Sequence, residues 1–275
     1  MSLLVNTNQS SLSSQRLLDR ATSGLSNSFE KLASGFKINR AADDAAGLVI
    51  SNRLTVQVGG LEQAARNAAD AISLIQVTDS ALDEVTGALQ RMRVLTIQSA
   101  NGINNDADTD ALQKEFNTLR ETIQVIAENT SFGGLKVLDG SAGNRNFLVG
   151  ANAGQVITVN LNHNFTITGA GLNIDSVNLD NDEPETVIDA LDNAIGLTDN
   201  VRTALGAQQN VLGSTLRNIS NVSENVSASR SQLRDTDYAK ETAELTRTQI
   251  LQQSSTTVLA QANQRPQAAL SVLTG

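Results

Sequence analysis

Apolar residues recur every seven positions through Leu61, Ala68, Ile75, Leu82 and Leu89, with Ile72, Val85 and Met92 in the turns between. That spacing predicts a long helix laid against a helical partner. A second grid of the same period runs through Leu191, Leu205, Leu212, Ile219, Val226 and Leu233, with Thr198 in the missing place. It starts after Pro184, a residue favoured in the first turn of a helix. Between the two grids, Leu112, Phe116, Leu119, Ile123 and Ile126 alternate at four and three, the mark of an amphipathic helix. A polar break from Asn101 to Asp108 precedes it, and Asp108 or Asp110 is the expected cap. Gly59-Gly60 is a soft spot where the first long helix could bend.

From Asn129 to Asn181 the pattern changes. Gly133-Gly134, Asp139-Gly140 and Gly169 to Gly171 (which encloses Ala170) are turn chemistry. Phe147 to Val149 and Gln155 to Leu161 carry strand-length runs of apolar and β-branched residues. One or two hairpins are expected, within a β region at about 140–182.

The two ends differ again. Leu18, Leu25 and Leu32 near the start, and Leu245, Leu251, Val258, Leu259 and Leu270 near the finish, lie on thin apolar stripes among Ser, Thr, Gln, Asn and Ala. Such helices are too sparsely apolar to stand alone, because helical stability comes mostly from tertiary burial. Their expected partners are each other and copies of the same chain. The fold class is therefore mainly α: a long antiparallel helical bundle or coiled coil with paired N- and C-terminal helices and a small β-hairpin region. Residues 1–43 and 236–275 form the paired terminal helices, and 44–235 a helical inner domain.

Charge sharpens this division. From Gly140 to Asn200 the only Lys or Arg is Arg145, against eight Asp and Glu, while the first forty residues are mildly basic. A solvent-facing acidic centre is expected. The net charge of −9 argues against nucleic acid, which needs clustered cations to displace counterions. No stretch approaches the roughly 20 apolar residues of a membrane span. Cysteine is absent, so no disulfide framework exists, and Met1 to Arg20 does not read as a cleaved signal peptide.

Catalytic chemistry finds no footing, and no cofactor or metal is expected. The single histidine, His163, has no second His or Cys with which to share a metal. The segment Gly150 to Gly154 lacks the lysine of a phosphate loop. Asp43 and Asp44, adjacent on the chain, are expected to cap and open the long helix that follows them.

Longer motifs point to a family. Leu32-Ala-Ser-Gly-Phe-Lys-Ile-Asn-Arg-Ala-Ala-Asp-Asp-Ala-Ala-Gly47 resembles the amino-terminal signature of bacterial flagellins. The resemblance continues through Gln63 to Gln76, Leu89 to Asn101, Thr130 to Gly140, Val149 to Gly154 and Leu205 to Asn210. It closes with Asp235-Thr-Asp-Tyr-Ala239, Gln249 to Gln253 and Val258-Leu-Ala-Gln-Ala-Asn-Gln264. Only about Asn160 to Glu185 lies outside it. Val211 and Gln232 stand where the family often carries arginine.

The resemblance implies a structural subunit, not an enzyme, that polymerises into the helical filament of the bacterial flagellum for swimming motility. Its location would be extracellular, reached by export without a cleaved signal peptide. Its partners would be itself, the flagellar export apparatus and an export chaperone, and the filament cap and hook-associated proteins. The paired termini would line the filament's inner tube, making Leu18, Leu25, Leu32, Leu251, Val258, Leu259 and Leu270 the subunit-interface candidates. The stretch from Gly140 to Pro184 is too short for the variable outer domain of many members, so the chain resembles a minimal form. The motif read by the animal innate receptor for flagellin is matched at Arg91, Leu95 and Glu115, with Val94 where an acidic residue usually precedes the leucine.

The alternative within the same apparatus is a hook–filament junction protein, which shares paired helical termini but forms a short ring. A flagellin-derived metalloprotease would need a His-Glu-x-x-His helix, which one histidine cannot supply. A non-flagellar coiled-coil adaptor would give heptads without the β region or the motifs.

Overall fold

The computed structural model describes residues 7–168, 171–180 and 182–274, with side chains described as far as residue 264. Among these residues the chain forms five helices: α1 (Gln9–Ser34), α2 (Ala45–Ser99), α3 (Asp106–Asn129), α4 (Pro184–Arg234) and α5 (Tyr238–Thr274). Four strands occur among the described residues between α3 and α4: β1 (Ser131–Phe132), β2 (Leu135–Lys136), β3 (Gly143–Leu148) and β4 (Val156–Leu161). The chain divides into two compact units. One joins Met1–Val56 to Asn225–Gly275, and the other is Gln57–Glu224.

In the central unit the heptad residues do what their spacing predicts, whereas the second grid fades beyond it, Val226 being half-buried and Leu233 exposed. Leu61, Ala68, Ile75, Leu82 and Leu89 on α2 are buried, as are Leu191, Thr198, Leu205, Leu212 and Ile219 on α4. Each large apolar side chain fully covered there contributes roughly 1.5–3 kcal/mol. Ion pairs mark the direction of packing. Arg93 bonds Asp192 at 2.7 Å, and Arg202 bonds Asp79 at 3.0 Å and Asp83 at 2.9 Å, so α4 ascends as α2 descends. These pairs are largely exposed and are worth at most about 1 kcal/mol each. The antiparallel arrangement therefore rests on the apolar seam.

Helix α3 turns back along α2, with Phe116 and Ile123 buried and Leu112, Leu119 and Ile126 partly so. Its cap is Asn105, not Asp108 or Asp110. The Asn105 side chain accepts from the Asp108 N–H at 3.0 Å, and the Asp108 carboxylate accepts from the Asn105 N–H at 3.2 Å. Asp108 is thus the reciprocal member of a capping box, three residues inside the helix.

Two hairpins follow. β1 pairs with β2 around Gly133 and Gly134, both with positive φ, as a tight two-residue connection requires. This hairpin precedes the β region expected from the sequence. β3 pairs with β4 from Gly143↔Leu161 to Leu148↔Val156. Its connecting turn lies on α2, where the Asn67 amide donates to the Leu148 carbonyl at 2.9 Å. A Cβ on Gly60 would stand 3.2 Å from the Ala151 Cα. Gly60 therefore allows close approach of two backbones, and α2 runs unbroken through Gly59-Gly60.

The described residues between β4 and α4 form no helix or named strand yet pack firmly. Phe165, Leu172, Ile174, Val177 and Leu179 are buried in the central core. Polar side chains of α3 satisfy its backbone. Arg120 donates to the carbonyls of Asp175 (2.7 Å) and Val177 (3.2 Å), and Gln113 accepts from the Leu179 N–H at 2.7 Å. The acidic side chains Asp175, Asp180, Glu183 and Glu185 remain exposed, so the acidic centre is a solvated skin over apolar packing.

Candidate functional site

The other compact unit is built on the antiparallel pair α1 and α5. Contacts at both ends fix its register. Asn8 caps α1, accepting from the Ser11 N–H at 3.1 Å, while its amide donates to the Ala262 carbonyl at 2.7 Å. Beside it, the Ser11 hydroxyl donates to the Asn263 side chain at 2.8 Å. At the far end the Tyr238 hydroxyl donates to the Leu32 carbonyl at 3.3 Å.

The seam between these helices is made of small residues. Ser14, Ala21 and Ser28, seven apart, are buried on α1, and Thr248 and Ala262 on α5. A Cβ on Gly24 would lie 3.2 Å from the Thr248 methyl. Small side chains let the two helices approach closely, but they bury little apolar area compared with leucine. The pair is thus well registered and thinly glued.

The leucines divide between two surfaces. Leu18, Leu25, Leu32, Leu245 and Leu259 are half-buried, flanking the small-residue line. Leu251 and Val258 face outward, 45% and 50% exposed, together with Leu17 at 53% and Ile250 at 61%. Leu17, Leu251 and Val258 line one open groove along the pair with Ala21, Thr248 and Ser255. Leu270 lies outside the described side chains. The sequence reading passed over Leu17 and Ile250, although the tandem pairs Leu17-Leu18, Ile250-Leu251 and Val258-Leu259 carried the signal. Adjacent helical residues point about 100° apart, so both members cannot enter one thin seam.

Where the pair ends, the chain is tied by backbone. The Lys37 N–H donates to the Arg234 carbonyl at 2.6 Å and the Thr236 N–H to the Gly35 carbonyl at 2.9 Å. Gly35 ends α1 in the left-handed conformation, φ 75°, where glycine is at ease. The two adjacent acids have separate tasks. Asp44 caps α2 through the Gly47 N–H at 2.9 Å. Asp43 instead holds the preceding turn, accepting from the N–H groups of Arg40 (2.9 Å) and Asn39 (3.0 Å). Those bonds, the one from Arg40 foremost, hold its carboxyl below the ordinary aspartate value.

The receptor-type motif is only partly a surface. Arg91 and Glu115 are exposed and paired at 2.7 Å, joining α2 to α3. Leu95 is wholly buried in the central core, so of these three side chains only the charged pair reaches the surface. His163 is half-covered beside Phe165, and no metal-binding group of His, Asp or Glu occurs among the described residues.

Residues 5–143 match the bacterial flagellin N-terminal helical region, and residues 188–273 match the bacterial flagellin C-terminal helical region. A flagellin of Halalkalibacterium halodurans is 42% identical over 272 residues, covering 98% of this chain and 100% of the relative. Flagellin B of Vibrio anguillarum is 35% identical over 375 aligned positions, covering 99% of this chain and all of that one. About a hundred of those positions have no counterpart in a chain of 275 residues, so this is a short form. The crystal structure of Bacillus cereus flagellin is 35% identical with a TM-score of 0.50, covering 56% of this chain and 88% of that one. A putative flagellar hook-associated protein of Vibrio parahaemolyticus, 18% identical with a TM-score of 0.60, covers 70% and 100% and shares the fold. The chain belongs to the bacterial flagellin family.

Proposed function

We infer that this chain builds the flagellar filament through its terminal helix pair. As a flagellin it is a structural subunit, not an enzyme, that polymerises into the helical, extracellular filament of the bacterial flagellum and serves motility. The observation that carries the finer reading is the pair's outward apolar groove at Leu17, Leu251 and Val258, set against a seam of small residues. An apolar face left in water favours a further copy, and a contact between unlike patches that does not close generates an open helical fibre. Leu18, Leu25, Leu32 and Leu259 then hold the pair together, while Leu251 and Val258 meet the neighbouring subunit. Leu270 would extend the same stripe.

The family reading brings further partners: the flagellar export apparatus and an export chaperone before assembly, and the filament cap and hook-associated proteins at the filament's ends. Export would proceed without a cleaved signal peptide. Arg91 and Glu115 are the exposed residues an innate flagellin receptor would meet. The junction-protein reading draws on likeness of fold alone, whereas the flagellin matches span both ends of the chain. Seeding purified protein with filament fragments tests the inference. Long filaments are expected in electron micrographs, and short rings or no growth would count against it.

A further inference from the structure

We propose that Asn101-Gly102 is a self-modification site, at which the asparagine amide is lost through a cyclic imide. It is the one Asn-Gly step in the sequence. It lies between α2 and α3, outside any helix, with both residues exposed. The Asn101 side chain makes no hydrogen bond among the described residues, and the Gly102 N–H donates to none of their groups. The turn is held by its neighbours. The Asn104 N–H donates to the Asn101 carbonyl at 3.0 Å, and the Asn104 amide donates to the Gln98 carbonyl at 2.7 Å. Nucleophile and electrophile are therefore free on a fixed frame.

The chemistry needs only water. The Gly102 backbone nitrogen gives its proton to solvent base and attacks the Asn101 side-chain carbonyl carbon. A nitrogen–carbon bond forms, the bond from that carbon to the side-chain nitrogen breaks, and ammonia leaves. Water then opens the five-membered imide at either carbonyl, giving aspartate or isoaspartate at position 101. No electron changes hands.

The folded structure gives Gly102 no other task. Its φ is not positive, and a Cβ built on it meets nothing within 4 Å. Asp139-Gly140, open to the same cyclisation, makes the contrast. The Asp139 carboxylate is engaged by the Ser141 N–H (2.9 Å) and hydroxyl (2.6 Å). Gly140 has a φ of 78°, and its Cβ would stand 3.2 Å from that of Asn164. One site is locked and the other open. The product places a negative charge beside the last carbonyls of α2, the end at which the helix dipole is already negative. An aged subunit thus has a weakened α2–α3 joint.

The test is peptide mass spectrometry of the full chain held in mildly alkaline buffer, alongside Gly102→Ala. The open backbone and space make that variant structurally benign, and circular dichroism verifies it. Amide-to-acid conversion is expected at Asn101 ahead of every other asparagine, split between aspartate and isoaspartate. Gly102→Ala should slow it by roughly tenfold or more, because a Cβ crowds the attacking nitrogen. Asn101 remaining intact while other asparagines convert, or an unchanged rate in Gly102→Ala, overturns the proposal.

Discussion

The Arg234 guanidinium lies over the Phe36 ring, 4.2 Å from its centre, where the chain leaves the terminal helix pair at both its beginning and its end. A cation over an aromatic face contributes roughly 0.5–2 kcal/mol, and here it sits beside the backbone bridge of Phe36 with Asp235. Phe36→Ala should loosen that bridge, and Phe36→Tyr should keep it. Hydrogen exchange at the Lys37 and Thr236 amides reads the difference. Faster exchange is expected in the alanine variant, and equal protection in both would remove the ring from the account.

Adjacent glycines on α2 should behave oppositely. A Cβ at position 59 meets nothing within 4 Å, whereas one at 60 would press on Ala151. Gly59→Ala should stabilise by about 0.5–1 kcal/mol, since alanine suits a helix interior better. Gly60→Val should cost about 1–3 kcal/mol, because the hairpin turn must move away. Thermal melts of the two variants on either side of the parent are the expected result.

The long helices were legible in the sequence because their period repeats many times, and each repeat of Leu61 to Leu89 adds to one burial face. The first hairpin was not, because strands of two residues have no period to read. Gly133-Gly134 announced only the turn. Asn105 was passed over for Asp108 because both residue types cap well, and the capping box uses both at once. The α1–α5 seam was read from its leucines, while the residues at the contact line are Ser14, Ala21 and Ser28. Small polar residues look like surface, and only the closeness of the partner helix covers them. Leu95 shows the converse, since a motif match carries no information about which of its members faces water.

Acid should release the turn before α2. The Asp43 carboxyl titrates below its ordinary value of 3.8 because the Arg40 and Asn39 N–H groups bond its charged form. A depressed folded-state value contributes stability that is present above the unfolded value and is lost as pH falls through the folded one. Measured against the intrinsic exchange rate at each pH, the amides of Asn39 and Arg40 should thus be protected at neutral pH and lose protection only below the ordinary aspartate value of 3.8. Asp43→Ala should show the low protection at every pH. Protection that persists at low pH would mean that the carboxylate does not hold the turn.

The last prediction separates the two surfaces of the terminal helix pair by changing neighbouring residues on α5. Val258 is half exposed and lines the outward groove, so a carboxylate there stays solvated in the free subunit. Val258→Asp should leave the helical signal and melting temperature nearly unchanged. Once a second copy covers the groove, the same charge must shed water at a cost of several kcal/mol, repeated at every subunit. Seeded growth should therefore stop. Leu259 is half-buried beside the seam with α1, so Leu259→Asp should act earlier, loosening the pair within one chain and exposing the ends to protease. Limited proteolysis, circular dichroism and seeded light scattering on both variants give the comparison. Normal filament growth from Val258→Asp would show that the outward face is not an assembly contact, whatever Leu259→Asp does.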